Sequence, residues 1–220
     1  MLKILTKLLT TLLLLVGIQV VNSQNISDFF LKLPTSVTPT LSEQQRFEML
    51  EYYKSDKNDS IKNRYGNYVK ILSLDTTNQQ LTAKTTANNI IEIKLFKVDE
   101  KEVLVGVINT VQSPVEVSNI RFYNSNWQVS KIQFFIPNAA KWFKKDLSND
   151  VDTNQNWLKS IAEQKFVKLE FSKTNPQFIV KNQILKFVSL ENKKELIALI
   201  DNEPLVYELK GNEFLGVGKE

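Results

Sequence analysis

The chain has 220 residues, 28 Lys and Arg against 24 Asp and Glu, and neither cysteine nor histidine. Without cysteine there is no disulfide, thiolate ligand or cysteine nucleophile; without histidine the commonest general base and transition-metal ligand are missing too. Three arginines, Arg46, Arg64 and Arg121, and a formal net charge of +4 leave no nucleic-acid footprint.

The opening residues 1–23 read as a cleavable signal peptide. Lys3 and Lys7 supply a positive start, and Leu8 to Ile18 is apolar apart from Thr10, Thr11 and Gly17. Val21-Asn22-Ser23 then offers a cleavage site before Gln24. A membrane-spanning helix needs about 20 apolar residues; Leu8 to Val21 covers only 14 positions and is interrupted by Gln19. The expectation is an exported product, residues 24–220, forming one α+β domain that is periplasmic or secreted and does not span a membrane. Loss of Lys3 and Lys7 lowers its net charge to +2.

Ser27 is expected to cap a short helix that Pro34 ends. Ser42 and Gln45 have the spacing of a capping box, with Phe47, Leu50 and Tyr53 following on one face beside Met49. Residues 55–60 are polar and read as a loop. From 62 to 135 short alternating runs predict antiparallel strands. Val69 and Ile71 lie in the first, residues 81–86 form a polar second, and Ile91, Ile93 and Leu95 alternate with Glu92, Lys94 and Phe96 in the third. Val103, Val105 and Val107 mark the fourth and residues 115–123 the fifth, before an Asn124-Ser125-Asn126 turn.

After Pro137, residues 139–145 and 154–164 read as two short helices. Strands return at Val167, Leu169 and Phe171 and at 178–180; a helix covers 191–200, and a last hairpin joins Leu205, Tyr207 and Leu209 to Phe214. The short links favour hairpins, so the predicted class is α+β on an antiparallel sheet with short flanking helices. The aromatic hairpins Phe122-Tyr123…Trp127 and Val206-Tyr207…Phe214 read as ordinary cross-strand packing rather than a duplication.

Five short motifs follow the signal-like start in order: Phe30-Leu31-Lys32-Leu33-Pro34, Pro39-Thr40-Leu41, Asn63-Arg64-Tyr65-Gly66, residues 120–127 (Ile-Arg-Phe-Tyr-Asn-Ser-Asn-Trp), and Pro204-Leu205-Val206-Tyr207-Glu208. In that order the chain resembles an uncharacterised exported family, a domain of unknown function found mainly in Bacteroidetes. Members carry Trp two residues after the last Tyr, where this chain has Leu209. The resemblance implies an envelope setting and transfers no activity, cofactor or site residue.

Catalytic motifs are not visible. No Gly-x-Ser-x-Gly or Ser-x-x-Lys occurs, and no spacing singles out a carboxylate pair. Asp152, Asn154, Asn156 and Glu163 have the spacing of a calcium loop, with Ser160 at its ninth position, but Trp157 stands where the loop needs Gly. The stretch reads instead as a helix start; Asp146 and Asp150 offer only a weak surface cation site. Aromatics such as Trp127, Tyr52, Tyr53 and Tyr123 are assigned to packing. Trp142, between Lys141 and Lys144-Lys145, is the aromatic expected to be exposed. Trp142, Lys144 and Lys145 are therefore the candidate partner-binding residues. The functional expectation is a non-catalytic protein without cofactor that binds a protein or polymer in the envelope. The alternatives are a small-ligand or oligosaccharide binding module and a carboxylate-based hydrolase.

Overall fold

The structure, a computed structural model, describes residues 25–219 apart from 56, 58, 100–101 and 146–155. The expected signal peptide and Asp146, Asp150, Asp152 and Asn154 lie outside the described residues.

Helix α1 (Ile26–Leu31) starts two residues earlier than expected. Asn25, not Ser27, is its cap: Asn25 Oδ1 accepts from Asp28 N at 3.1 Å, and Asp28 Oδ2 accepts from Asn25 N at 3.4 Å. That start puts Ile26, Phe29 and Phe30 together on the buried side, which a cap at Ser27 would not. Helix α2 (Glu43–Lys54) has the expected Ser42–Gln45 box, with bonds of 3.2 and 2.9 Å. Its inner face differs from the expectation. Phe47 is 49% exposed, whereas Arg46, Met49 and Leu50 are buried. Arg46 earns its inward place through hydrogen bonds. It donates to the Leu31 carbonyl from Nε and Nη2 (3.0 and 2.8 Å) and to the Leu41 carbonyl from Nη1 (2.9 Å), so it closes the end of α1.

Six strands follow as an antiparallel meander in chain order: β1 (Ile61–Lys62), β2 (Tyr68–Asp75), β3 (Gln80–Thr86), β4 (Asn89–Lys97), β5 (Val103–Val111) and β6 (Val117–Tyr123). The polar β3 is a full strand that buries Leu81, Ala83 and Thr85 in alternation. One face of this sheet carries Val69, Ile71, Leu81, Ala83, Ile91, Ile93, Val105, Val107 and Tyr123 and packs under α1 and α2. The opposite face carries Phe96, Leu104, Ile108 and Phe122 and meets the second half of the chain.

A 3-10 turn at Ala139–Trp142 and helix α3 (Asn156–Ala162) lead into a second antiparallel sheet. It consists of β7 (Val167–Phe171), β8 (Gln177–Asn182), β9 (Leu205–Lys210) and β10 (Glu213–Lys219), in the order β10-β9-β8-β7; helix α4 (Leu190–Leu199) lies between β8 and β9 in the chain. The expected class, α+β on antiparallel sheets with short helices, holds. Aromatic rings fill the space between the sheets. Phe214 from the last hairpin stacks on Phe122 from the earlier one (4.7 Å), and Phe96 meets Phe171 edge-on (5.6 Å). Gly106 makes this closeness possible: a Cβ there would lie 2.8 Å from Phe171 Cζ and 2.9 Å from Phe96 Cε2.

Candidate functional site

Strand β7 is an edge strand whose outward backbone groups would be left without a ladder. Side chains of the first sheet occupy them. Ser118 Oγ accepts from Leu169 N at 3.0 Å and shares a 2.8 Å hydrogen bond with Thr110 Oγ1. Glu92 Oε2 accepts from Phe171 N at 3.3 Å, and the buried Lys94 ammonium donates to the Ser172 carbonyl. An ion-pair chain runs alongside. Lys168 Nζ bridges Glu116 (2.9 Å) and Glu170 (3.1 Å), and Lys181 Nζ meets Glu170 at 2.6 Å.

Burial pushes the Glu92 carboxyl up from 4.5 to about 7, with repulsion from Glu170 adding to it; the Phe171 N–H, Lys168 and Lys181 pull the other way. The Glu170 carboxyl is held below its usual value by hydrogen bonds from Lys181 and Lys168, which overcome its desolvation. Shifted carboxyls often mark catalysis. Here each is bonded to backbone or lysine in the seam between the sheets.

The other face of β5 and β6 is different. Beyond the part covered by α1, its side chains turn from Val107 and Tyr123 to Asn109, Asn119 and Arg121, where register sets Asn109 opposite Asn119 and Arg121 opposite Val107. These residues, with Ser36, Val37 and Pro39, line a cavity of about 270 Å³ that contains no carboxylate. A second cavity of about 280 Å³ is lined by Asp28, Phe29, Lys32, Ser125, Asn126 and Trp127. A ring pair lies between the cavities: Tyr123 lines the first, Trp127 the second, and their centroids are 5.5 Å apart. Phe29 packs edge-on to Trp127 at 6.1 Å. The side chains of Arg121, Asn109, Asn119 and Lys32 have no hydrogen-bond or ion-pair partner among the described residues. Asp28, the single acid present, is engaged in the α1 capping box.

Trp127 reaches this wall by an unusual path. Its φ is +60°, a left-handed conformation that costs a bulky residue about 1–2 kcal/mol. The Asn124 turn holds it there. Trp127 N donates to the Asn124 carbonyl (3.0 Å), while Asn124 Oδ1 accepts from Asn126 N (2.9 Å) and Gln128 N (3.0 Å). The indole N–H is buried and has no acceptor among the described residues. Two further cavities, of about 440 and 290 Å³, flank the segment from Val129 to Phe134; Glu102 is the acid lining the larger, and the smaller has none.

The residues expected to form a contact surface do not do so together. Trp142 is 1% exposed, and its Nε1 donates to the Glu203 carbonyl at 2.9 Å. The lysines around it suggested a solvated helix, but the 3-10 turn ends at Trp142 and Phe143 bridges to Ile200, which turns the indole inward. Lys144 is exposed and donates from Nζ to the Ala198 carbonyl (3.1 Å) near the end of α4; Lys145 is exposed as well. Arg121 and Trp127 do share one side, and both stood in the 120–127 motif. The Asn63 motif is structural: Asn63 donates to the Thr85 carbonyl (2.9 Å) and accepts from Tyr65 N and Asn67 N. Among the described residues no group of three or more Asp and Glu is placed to hold a metal ion, and no helix is long and apolar enough to cross a membrane.

The family described as protein of unknown function (DUF3256) matches residues 18–214, and the chain belongs to it. A solved structure titled as a domain of an uncharacterized protein from Porphyromonas gingivalis W83 has a similar fold. Its TM-score is 0.73 at 17% identity, covering 87% of this chain and 96% of that one. No curated protein matches the chain.

Proposed function

We propose that this member of the family is an exported, non-catalytic protein that works in the cell envelope by contact with a protein or polymer partner. The observation that carries the reading is the groove along β6. Unengaged donors from Arg121, Asn109 and Asn119 stand on rigid strands beside the strained Trp127 wall, with no free carboxylate among them. The non-catalytic part rests on the placement of the acids. Glu92 and Glu170 are tied into the seam, and each of the four cavities described above is lined, among the described residues, by at most one carboxylate, whereas carboxylate hydrolysis needs a facing pair. Export is supported by the signal-like residues 1–23.

The test is mild crosslinking in the native envelope, followed by capture of a tagged chain and of its Arg121→Glu variant, with protein and carbohydrate analysed in both. Material recovered with the first and lost with the second is the expected result. Recovery of the protein alone, equal recovery by the variant, or cleavage of an envelope polymer by the purified protein would each overturn the reading.

A further inference from the structure

We propose that the groove from Arg121 to Trp127 binds an acidic glycan, one sugar carboxylate being held by Arg121 and a neighbouring unit lying beside Lys32. The inference rests on the contact reading above and names the partner's chemistry. Its first support is the donor set. A guanidinium fork matches a planar carboxylate with two parallel hydrogen bonds. The amides of Asn109 and Asn119 both donate and accept, as a sugar's hydroxyl groups require. No free acid in either cavity opposes a negative ligand, and each cavity contributes one cation with no partner among the described residues, Arg121 in one and Lys32 in the other.

The second support is shape. Two cavities of nearly equal size, about 270 and 280 Å³, lie on either side of the Tyr123–Trp127 ring pair. That arrangement suits a repeating unit with C–H faces that pack on rings. An acidic peptide fits less well. Polar side chains make up at least half of each lining, and part of the β6 edge is already occupied, since Ser130 N donates to the Phe122 carbonyl and Tyr123 bridges to Val129.

Calorimetric titration of the purified, full processed chain tests this with oligomers of galacturonate, glucuronate and mannuronate. Their neutral methyl esters and hexaglutamate serve as controls. Saturable binding to at least one oligouronate is expected, with its ester and hexaglutamate about tenfold weaker or more. Arg121→Gln should weaken it about tenfold, the loss of one charge-assisted pair, and Lys32→Gln severalfold. Arg64→Gln, on an exposed turn outside the groove, should bind like the parent. The proposal falls if no oligouronate saturates, if esters or hexaglutamate bind as well, or if Arg121→Gln leaves affinity unchanged. Arg121-dependent capture of a protein together with silent titrations would refute the glycan and leave the contact reading standing.

Discussion

On one face of the β1–β6 sheet, Ile91, Ile93, Val105 and Val107 meet α1 and α2. On the other, the same strands send Glu92, Lys94, Phe96 and Thr110 towards β7. Helices arrive with their backbone groups already satisfied, so aliphatic area is enough to hold them. An edge strand arrives with open N–H and C=O groups, and the face that receives it must supply polar partners in register. Charged residues on the inter-sheet face are thus part of how the sheets join. Polar residues on the helix side, beyond the cover of α1, have no such duty and remain available for a ligand.

The largest effect should come from the aromatic side of this division. Phe96 touches Phe122, Phe171 and Phe214, and Phe96→Ala should cost about 3–5 kcal/mol in denaturant unfolding. A loss under 1 kcal/mol would mean the two sheets are not joined through these rings.

Next is Glu92, whose sign is fixed by its raised value. The folded protein holds this proton more tightly than the unfolded chain. The associated stability is therefore fully present below about pH 4.5 and is lost as pH rises through about 7. The full loss is about 3 kcal/mol. Glu92→Gln keeps an acceptor for Phe171 N–H and removes the charge, so the variant's advantage should grow between pH 5 and 8. A difference that does not vary with pH would show that the seam leaves Glu92 solvated. Smaller again is Gly106→Ala, expected to cost about 1–3 kcal/mol because its methyl group would press on two buried rings. Thermal melts that coincide with the parent's would mean the rings yield freely.

Much of this division could be read from alternation alone. Ile91, Ile93 and Leu95 against Glu92, Lys94 and Phe96 already define two faces of β4. Which face takes helices could not be read, because the groups that meet Glu92 and Lys94 are 79 and 78 positions away. Trp142 was misread for a related reason: local charge suggested solvent, while its partner at Glu203 is 61 residues on. At the groove, Arg121 lies in the 120–127 motif, yet its neighbours follow only from the β5–β6 register that sets Asn109 beside Asn119. Trp127 was assigned to packing, and its rings do pack on Phe29 and Tyr123; its left-handed backbone left no mark beyond the Asn-rich turn.

The most direct test of the division between a joining face and a contact face is the melting temperature at pH 7 with and without saturating oligouronate. It would be measured for the parent, Arg121→Gln and Glu92→Gln. The account predicts a ligand-induced rise in the parent and in Glu92→Gln, and its loss in Arg121→Gln. A rise that survives Arg121→Gln, or one abolished by Glu92→Gln in a folded variant, would contradict it.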